Sequence, residues 1–311
     1  MIVDTDLSLG APGSEIDDGL ALAMVVAEPR LDLQAVTTVS GNVDAASAAS
    51  LVLDLFERLD VHDVPVFKGG LSALCDPVPR RPSVPAGRDE DGVTTGYAAA
   101  EIARRVVESP GEITVIAIGP LTNLAVAITI EPGFAAAVKE IVVMGGTYFR
   151  NLSWGSLPSE FNFWLDPEAA KVVLRSGAKL RLVGLDVTTQ VPLSRADATM
   201  LQNRGGRFAA YAGTCAQAWI ERLATEYPGD PDTGDSCSMH DPVAVAAAVR
   251  PDLLEWKEVY VDIVTHDQLG RGVAVVDRLE GPASRSPNCS VAAGVDSESI
   301  RAYALGLLLT L

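Results

Sequence analysis

The sequence predicts an α/β fold, with one Rossmann-like, mostly parallel sheet flanked by helices on both faces. Three observations lead to this prediction. Strand-like apolar runs alternate with helical stretches through the first 185 residues, and a β-α-β-α order is typical of parallel sheets. Hydrophobic residues make up 48% of the 311 residues and charged residues 21%, which favours a globular chain over a disordered one. Neither an internal repeat nor a low-complexity linker divides the sequence, so we expect residues 1–311 to form a single domain.

The elements follow one another in a regular order up to residue 187, and the pattern then becomes mainly helical. The first predicted strands are residues 1–6, 31–40, 113–119, 140–146 and 179–187, and the helices between them are residues 16–28, 45–59, 120–130 and 166–177. Later residues are predicted as helical (193–226, 240–249 and 300–311) and as strands (256–264, 272–276 and 288–295). Two long loops rich in Pro and Gly cover residues 69–95 and 227–239, and loops of this length are often functional or disordered.

The charge and the cysteines exclude several classes of function. With 24 Lys and Arg against 41 Asp and Glu, the formal net charge is −17, which argues against binding to nucleic acid or to an anionic membrane surface. The N-terminus resembles no signal peptide, and no uncharged apolar run is long enough to span a bilayer. Four scattered cysteines, with only three His in the chain, indicate free thiols in a reducing cytoplasm rather than a zinc site.

A cluster of acidic residues follows the first predicted strand. Asp4 and Asp6 lie at its carboxyl end, and Asp17 and Asp18 begin the next helix. Each residue alone could be a helix cap or a solvated loop acid. Four together, at the end of the sheet where such folds bind ligands, favour a bound cation that offsets their repulsion. Oxygen ligands alone select a hard ion, Ca²⁺ or Mg²⁺.

Six motifs, in order along the chain, resemble those of the calcium-dependent nucleoside hydrolases, the inosine-uridine preferring nucleoside N-ribohydrolases. They are Val3-Asp4-Thr5-Asp6 with Asp17-Asp18, Ser40-Gly41-Asn42, Gly119-Pro120-Leu121-Thr122-Asn123, Met144-Gly145-Gly146 with Glu160-Phe161-Asn162 and Asp166-Pro167-Glu168-Ala169-Ala170, Leu185-Asp186-Val187-Thr188, and His240-Asp241-Pro242. Each motif alone is weak, whereas six in the same order are specific. The resemblance implies a nucleoside hydrolase fold and hydrolysis of ribonucleosides to free base and ribose, as in purine or pyrimidine salvage.

The resemblance also implies a role for each matching residue. Asp6 is expected to be the general base and His240 the acid that protonates the leaving base. Ca²⁺ is the expected cofactor, and its implied ligands are Asp6, Asp18, the backbone carbonyl of Ile118, and Asp241. The residues implied to bind the substrate are Asp17, Asn42, Met144, Asn151, Glu160 and Asn162. Asp166 and Asp186 are expected to cap elements rather than to touch the substrate. Family members are commonly homodimers or homotetramers, so we expect one of these assemblies.

The sequence departs from the family pattern around the expected pocket. Ten residues, 7–16, separate Asp6 from Asp17 where the family has three, and Gly10, Pro12 and Gly13 predict a protruding loop there. The histidine that contacts the base in the family is absent from residues 91–97, and the spacing from Asn151 to Glu160 is three residues longer.

Two other functions stay open at this point. One is a catalytically impaired nucleoside-binding or ribose-binding homologue, in which the insertion has displaced the general base. The other is a phosphohydrolase that uses the Asp4 and Asp6 pair. The absence of Lys and Arg from residues 1–29 disfavours the phosphohydrolase, because it would need a cationic side chain for the phosphate.

Overall fold

A computed structural model describes residues 1–11, 13–75, 92–150, 159–228, 234–266, 269–279, 281–282 and 284–311. Within these ranges the strands are β1 Ile2–Thr5, β2 Ala35–Thr38, β3 Val66–Lys68, β4 Thr114–Ala117, β5 Glu140–Met144, β6 Leu180–Val183, β7 Pro192–Ser194, β8 Ser236–Ser238, β9 Leu254–Ile263, β10 Ala274–Asp277 and β11 Cys289–Val295. The helices are α1 Asp17–Ala27, α2 Ala45–Leu59, α3 Ala98–Glu108, α4 Thr122–Ile130, α5 Phe134–Ala137, α6 Phe161–Leu165, α7 Pro167–Leu174, α8 Leu185–Thr188, α9 Arg195–Arg204, α10 Arg207–Glu226, α11 His240–Val249 and α12 Ser297–Leu308.

Nine strands form one sheet in the order β10-β9-β11-β6-β5-β4-β1-β2-β3. The seven strands from β11 to β3 pair in parallel, and only β9 runs antiparallel to its neighbours. The predicted mostly parallel sheet is therefore confirmed. The first strand, β1, lies between β2 and β4. The chain therefore continues from β1 to β2 and β3 on one side and later returns to β4 on the other side. Such a switch in strand order opens a crevice at the carboxyl ends of the strands.

Both faces of the sheet are covered by helices. Side chains of consecutive strand residues point to opposite faces, and Ile2 and Val3 accordingly belong to two different hydrophobic clusters. The cluster that contains Val3 packs against α1, α2 and α11, whereas the cluster that contains Ile2 packs against α3, α4 and α7. Within the described ranges no helix combines the length and the hydrophobicity needed to cross a bilayer.

The sequence misplaced several elements. It missed β3, because a strand of three residues gives a weak periodic signal. It also missed α3, although the buried residues 98, 99, 102, 103 and 106 have helical spacing. The predicted strand 179–187 ends at Val183, since the chain turns at Gly184 into α8. The predicted helical stretch 193–226 is divided into α9 and α10 at Gly205 and Gly206. Residues 236–238, predicted as loop, form β8 and pair with β7.

Candidate active site

A pocket lies beyond the carboxyl ends of β1, β4 and β5, where the sheet topology predicts a ligand site. Met144 ends β5, Ile118 directly follows β4, and Asn42 lies on the loop after β2, and all three line the pocket. The walls are completed by the first turns of α1, α6 and α11. The described residues that line the pocket are Glu15, Asp17, Asn42, Ile118, Met144, Glu160, Phe161, Asn162, Leu185, His240 and Asp241.

Asp6 lies just after β1, and its carboxylate is packed between two glycines. A Cβ atom at Gly41 would lie 1.9 Å from Asp6 Oδ2, and one at Gly119 would lie 3.0 Å from Oδ1. The backbone N–H of Asn42 donates to Oδ2 at 2.6 Å. Oδ1 is buried and has no hydrogen-bond partner among the described residues. Because Gly41 and Gly119 have no side chains, they leave the space that the Asp6 carboxylate occupies.

Three other carboxylates meet beside Asp6. Asp17 and Asp18 begin α1, Asp241 is in the first turn of α11, and one oxygen of each lies within 4.8 Å of the others. The Asn42 side chain donates to Asp18 Oδ2 at 3.3 Å, and the Asp241 N–H donates to Asp17 Oδ2 at 3.3 Å. Asp17 Oδ1 is buried without a hydrogen-bond partner in the described part of the chain. Asp17 and Asp18, which are more than 200 positions from Asp241, thus lie beside it in the structure, as the sequence predicted.

The electrostatics of this cluster favour a cation. Burial, as the largest cause, raises the pKa of Asp6 to about 7 and the pKa of Asp18 and Asp241 well above the ordinary carboxyl value. The neighbouring carboxylates raise these pKa values further, because each disfavours the charged form of the others. Buried oxygens without partners and mutual repulsion are both relieved by a divalent ion, so the donor set fits a hard cation.

The opposite wall is built around Glu160 and Asn162. Glu160 caps α6, and its carboxylate accepts from the N–H groups of Gly146, Asn162 and Phe163 at 2.7–3.0 Å. The Asn162 side chain donates to the carbonyl of Ile118 at 3.2 Å and lies 3.8 Å from the sulfur of Met144. All the residues of this wall that the sequence predicted are thus in the pocket, and Glu160 is rigidly held.

His240 completes the pocket on the side of α11. The ring is 7% exposed, and its Nδ1 lies 2.8 Å from the hydroxyl of Thr188. Burial lowers the pKa of His240, and the Asp17 carboxylate acts in the opposite direction. This contact gives a structural role to Thr188 of the Leu185-Asp186-Val187-Thr188 motif. The sequence predicted no role for this threonine.

Asp4 differs from the expectation that four acids meet at one point. Its Oδ1 accepts from Thr37 at 2.5 Å and from the Asn123 side chain at 2.8 Å. Burial raises its pKa to about 7. Asp4 lies within β1, whereas Asp6 lies just beyond its last residue, Thr5. The side chains of residues i and i+2 point to the same face only within a regular strand, so these two acids need not point the same way. Asp4 ties β1 to β2 and to α4 instead.

The insertion at residues 7–16 is not the protruding loop that its glycines predicted. Leu7, Leu9 and Ile16 are at most 3% exposed and belong to the main hydrophobic cluster. Leu9 occupies the space above Gly19, where a Cβ atom would lie 2.3 Å from its methyl group. The alternation of apolar residues in LSLGAPGSEI was the signal for burial, and the prediction gave more weight to Gly and Pro. Asp17 and Asp18 nevertheless reach the site.

Two acids lie outside the lining of the pocket. Asp166 caps α7 through the N–H of Ala169, as expected, whereas Asp186 caps no helix and instead accepts from the N–H groups of residues 148–150 at 2.7–2.8 Å. Asn151 lies outside the described residues, as does most of the loop predicted at 69–95. The sequence missed Glu15, Phe161 and Leu185 as lining residues. Of these, Glu15 could have been found from its position two residues before the acidic pair.

Comparisons with known proteins identify the family of this chain. The sequence model described as inosine-uridine preferring nucleoside hydrolase matches residues 1–302. The chain is 34% identical to uridine nucleosidase 1 of Arabidopsis thaliana, over 97% of this chain and 91% of that protein. It is 33% identical to the non-specific ribonucleoside hydrolase RihC of Salmonella enteritidis, over 97% of this chain and 95% of that protein. A solved plant nucleoside hydrolase superposes with a TM-score of 0.87 at 28% identity, covering 100% of this chain and 98% of the other. This chain belongs to the inosine-uridine preferring nucleoside hydrolase family.

Proposed function

We propose that the protein hydrolyses the N-glycosidic bond of ribonucleosides, releasing the free base and ribose, with Ca²⁺ as cofactor. The observation that carries this proposal is the group of buried carboxylates near the end of β1, in which Asp6 Oδ1 and Asp17 Oδ1 have no hydrogen-bond partner among the described residues. Uridine nucleosidases and a non-specific ribonucleoside hydrolase among the relatives support the substrate class. The expected cytoplasmic location, a role in nucleoside salvage, and a homodimer or homotetramer belong to the same proposal.

The residues that would hold Ca²⁺ are Asp6, Asp18, Asp241 and the carbonyl of Ile118. All four are buried at the end of the sheet, and Ca²⁺ prefers such a set of carboxylate and carbonyl oxygens. When bound, a divalent ion lowers the pKa of water and orients hydroxyl groups of a substrate. Asp17 belongs to the same group of carboxylates as Asp18 and Asp241. If Asp17 binds the ribose as proposed, the sugar would bind next to the metal ligands.

Asp6 is the proposed general base. Its Oδ2 is held by Asn42, while Oδ1 is free of protein hydrogen bonds in the described structure, so Oδ1 is the oxygen that would accept a proton from water. With the metal in place the carboxylate is held ionised at neutral pH. A fixed base that needs no reorientation contributes on the order of 10²–10⁴ to the rate.

The other acidic and amide groups would stabilise the sugar. Glycosidic bonds break through a transition state that resembles an oxocarbenium ion, and fixed negative charge stabilises the developing positive charge. Glu160 is suited to this task, because three backbone N–H groups fix its carboxylate. Asp17, Asn42, Asn162 and Met144 would bind the ribose, and Asn151 is proposed as a further contact.

His240 is the proposed acid for the leaving base. A departing hypoxanthine or uracil anion is unstable and benefits from a proton on a ring nitrogen. The hydroxyl of Thr188 lies 2.8 Å from Nδ1 and fixes the orientation of the ring at the wall of the pocket. Burial beside the pocket keeps the ring away from bulk water, which favours a directed transfer over exchange with solvent.

The alternative of an impaired homologue depended on displacement of the general base by the insertion. Asp6 keeps its contact with Asn42, and Asp17 and Asp18 keep their place at the start of α1. The insertion packs beside the catalytic groups without separating them, which supports an active hydrolase.

A panel of ribonucleosides, assayed for free base with and without a chelator, tests the proposal. We expect hydrolysis of inosine or uridine that stops on chelation and returns with added Ca²⁺. Asp18→Ala and Asp241→Ala should lose both the activity and Ca²⁺ binding measured by calorimetry. Glu298→Ala, an exposed acid on α12, is the matched control and should keep both. A purified protein that binds no divalent ion, or activity that ignores the chelator, would contradict the metal assignment.

A further inference from the structure

The threonine between the first two acids of the chain touches a proposed metal ligand. Thr5 is the last residue of β1 and is fully buried. Its hydroxyl donates a hydrogen bond to Oδ1 of Asp18, which begins α1 together with Asp17. Thr5 therefore contacts the acidic cluster from the strand, although it contributes no charge to it.

A second contact fixes the direction of this hydrogen bond. The backbone N–H of Leu7 donates to the same hydroxyl oxygen at 3.1 Å. An N–H can only donate and an ionised carboxylate can only accept, so the hydroxyl proton must point to Asp18. Leu7 is itself buried in the main hydrophobic cluster. Threonine is β-branched and restricted in χ1, so its hydroxyl is held in one orientation.

Asp18 is held at both of its oxygens. Thr5 donates to Oδ1 from the end of β1, and the Asn42 side chain donates to Oδ2 at 3.3 Å from the loop after β2. A carboxylate has about four lone-pair positions, so each oxygen keeps one for a cation. Partners of this kind orient a metal ligand before the metal binds, and the freedom that the ligand would lose on binding is already removed.

The hydrogen bond between Thr5 and Asp18 also closes the insertion. Its donor lies before residues 7–16 and its acceptor lies after them, 13 positions along the chain. The closure of a loop costs more conformational entropy as the loop becomes longer, so ten residues in place of three leave the start of α1 less constrained by the chain itself. A tertiary contact is needed to place Asp18 against β1, and Thr5 supplies one at the metal ligand.

We propose that Thr5 is a positioning residue that orients Asp18 for metal binding across the insertion. This inference rests on the proposed Ca²⁺ site of the proposed function. Loss of a hydrogen-bonding partner of a metal ligand typically lowers metal affinity by about 10–100-fold. We expect a loss of this size for Thr5→Val, which keeps the shape of the side chain and removes the hydroxyl. Thr5→Ser keeps the hydroxyl and should restore most of the affinity.

The test measures the Kd of the purified protein for Ca²⁺ alone, in competition with a chelator. Thr37→Val is the matched control, because Thr37 is equally buried on β2 and its hydroxyl donates at 2.5 Å to Asp4, which is not a proposed metal ligand. Each valine variant removes one buried donor from a carboxylate, so both should melt at a lower temperature than the wild type. Only Thr5→Val should lose affinity for Ca²⁺.

Hydrolysis measured against Ca²⁺ concentration gives a second readout. The half-maximal Ca²⁺ concentration should rise for Thr5→Val by the same factor as the Kd. Its kcat at saturating Ca²⁺ should stay within about threefold of the wild-type value, because excess metal fills a weakened site by mass action.

The outcomes separate this inference from the proposed function. A wild-type protein that binds Ca²⁺ and hydrolyses no nucleoside would refute the proposed function, while the Kd values of the variants still decide the role of Thr5. A wild-type protein that binds no Ca²⁺ would refute both. A folded Thr5→Val protein with the Ca²⁺ affinity of the wild type would overturn the inference alone. Equal losses of affinity in Thr5→Val and Thr37→Val would show that Thr5 only supports the fold.

Discussion

Replacing Gly41 by alanine should disable the general base without removing any catalytic group. The added Cβ atom would lie 1.9 Å from Asp6 Oδ2 and 2.7 Å from Asp6 Cγ. These atoms cannot share that space, so the Asp6 side chain has to move. The movement also breaks the 2.6 Å hydrogen bond by which the Asn42 N–H fixes Oδ2.

The size of the effect follows from the distance. An ordinary contact of a Cβ atom begins near 3.4 Å, so the carboxylate has to retreat by about 1.5 Å, and a misplacement of about 1 Å already reduces catalysis by on the order of 10²-fold. We therefore expect Gly41→Ala to lower kcat/KM by at least about 10²-fold. Gly119→Ala should have a smaller effect in the same direction, because its Cβ atom would meet Asp6 Oδ1 at 3.0 Å and Val39 at 2.9 Å.

The assay measures steady-state hydrolysis of uridine or inosine, together with thermal melting to establish that each variant is folded. Gly306→Ala is the control, since a Cβ atom at this position of α12 meets nothing within 4 Å, and its activity should equal that of the wild type. If Gly41→Ala is folded and as active as Gly306→Ala, the placement of Asp6 between the two glycines has no catalytic importance and the reasoning is refuted.

The remaining predictions test the leaving-group acid, the ribose contacts, the insertion and an ion pair. His240→Ala should slow natural nucleosides by about 10²–10⁴-fold and leave p-nitrophenyl riboside nearly unaffected, so equal losses on both would mean a structural histidine. 2′-Deoxynucleosides should react at least about 10³-fold less efficiently, because buried polar partners lose their hydroxyl; comparable rates on inosine and deoxyinosine would reject this. Leu9→Ala should reduce the free energy of unfolding by about 2–5 kcal/mol, and a value near zero in denaturant titrations would show an insertion that does not pack. The hydrogen-bonded Arg30 guanidinium lowers the pKa of Glu28 from 4.5 to about 2, so this pair stabilises the fold above pH 4.5 and the contribution is lost as the pH falls toward 2. Glu28→Gln should accordingly show a flatter dependence of melting temperature on pH over that range, and identical profiles would contradict it.

The sequence by itself determined the architecture and the end of the sheet at which the candidate site lies. Alternating strands and helices specify a parallel sheet, because periodicity is a property of neighbouring residues and needs no knowledge of the rest of the chain. The topology brings the strand ends together, which is why the acids that follow β1 could be assigned to a ligand site. Ile118 and Met144 were assigned to the same site through the resemblance to the family. The strand β3 was missed because its three residues carry too little pattern.

Tertiary structure alone decided how the site groups meet. Asp17 and Asp241 are 224 residues apart and share a hydrogen bond, whereas Asp4, two residues from Asp6, is bound by Thr37 and Asn123 instead. The burial of the insertion also depends on tertiary structure, because Leu9 is buried in the space that Gly19 of α1 leaves open. Spacing along the chain sets which residues can reach the end of a sheet. The shapes and charges of side chains that are distant in sequence decide which of them touch. The place of Glu15 in the lining of the pocket could therefore be seen only in the folded chain.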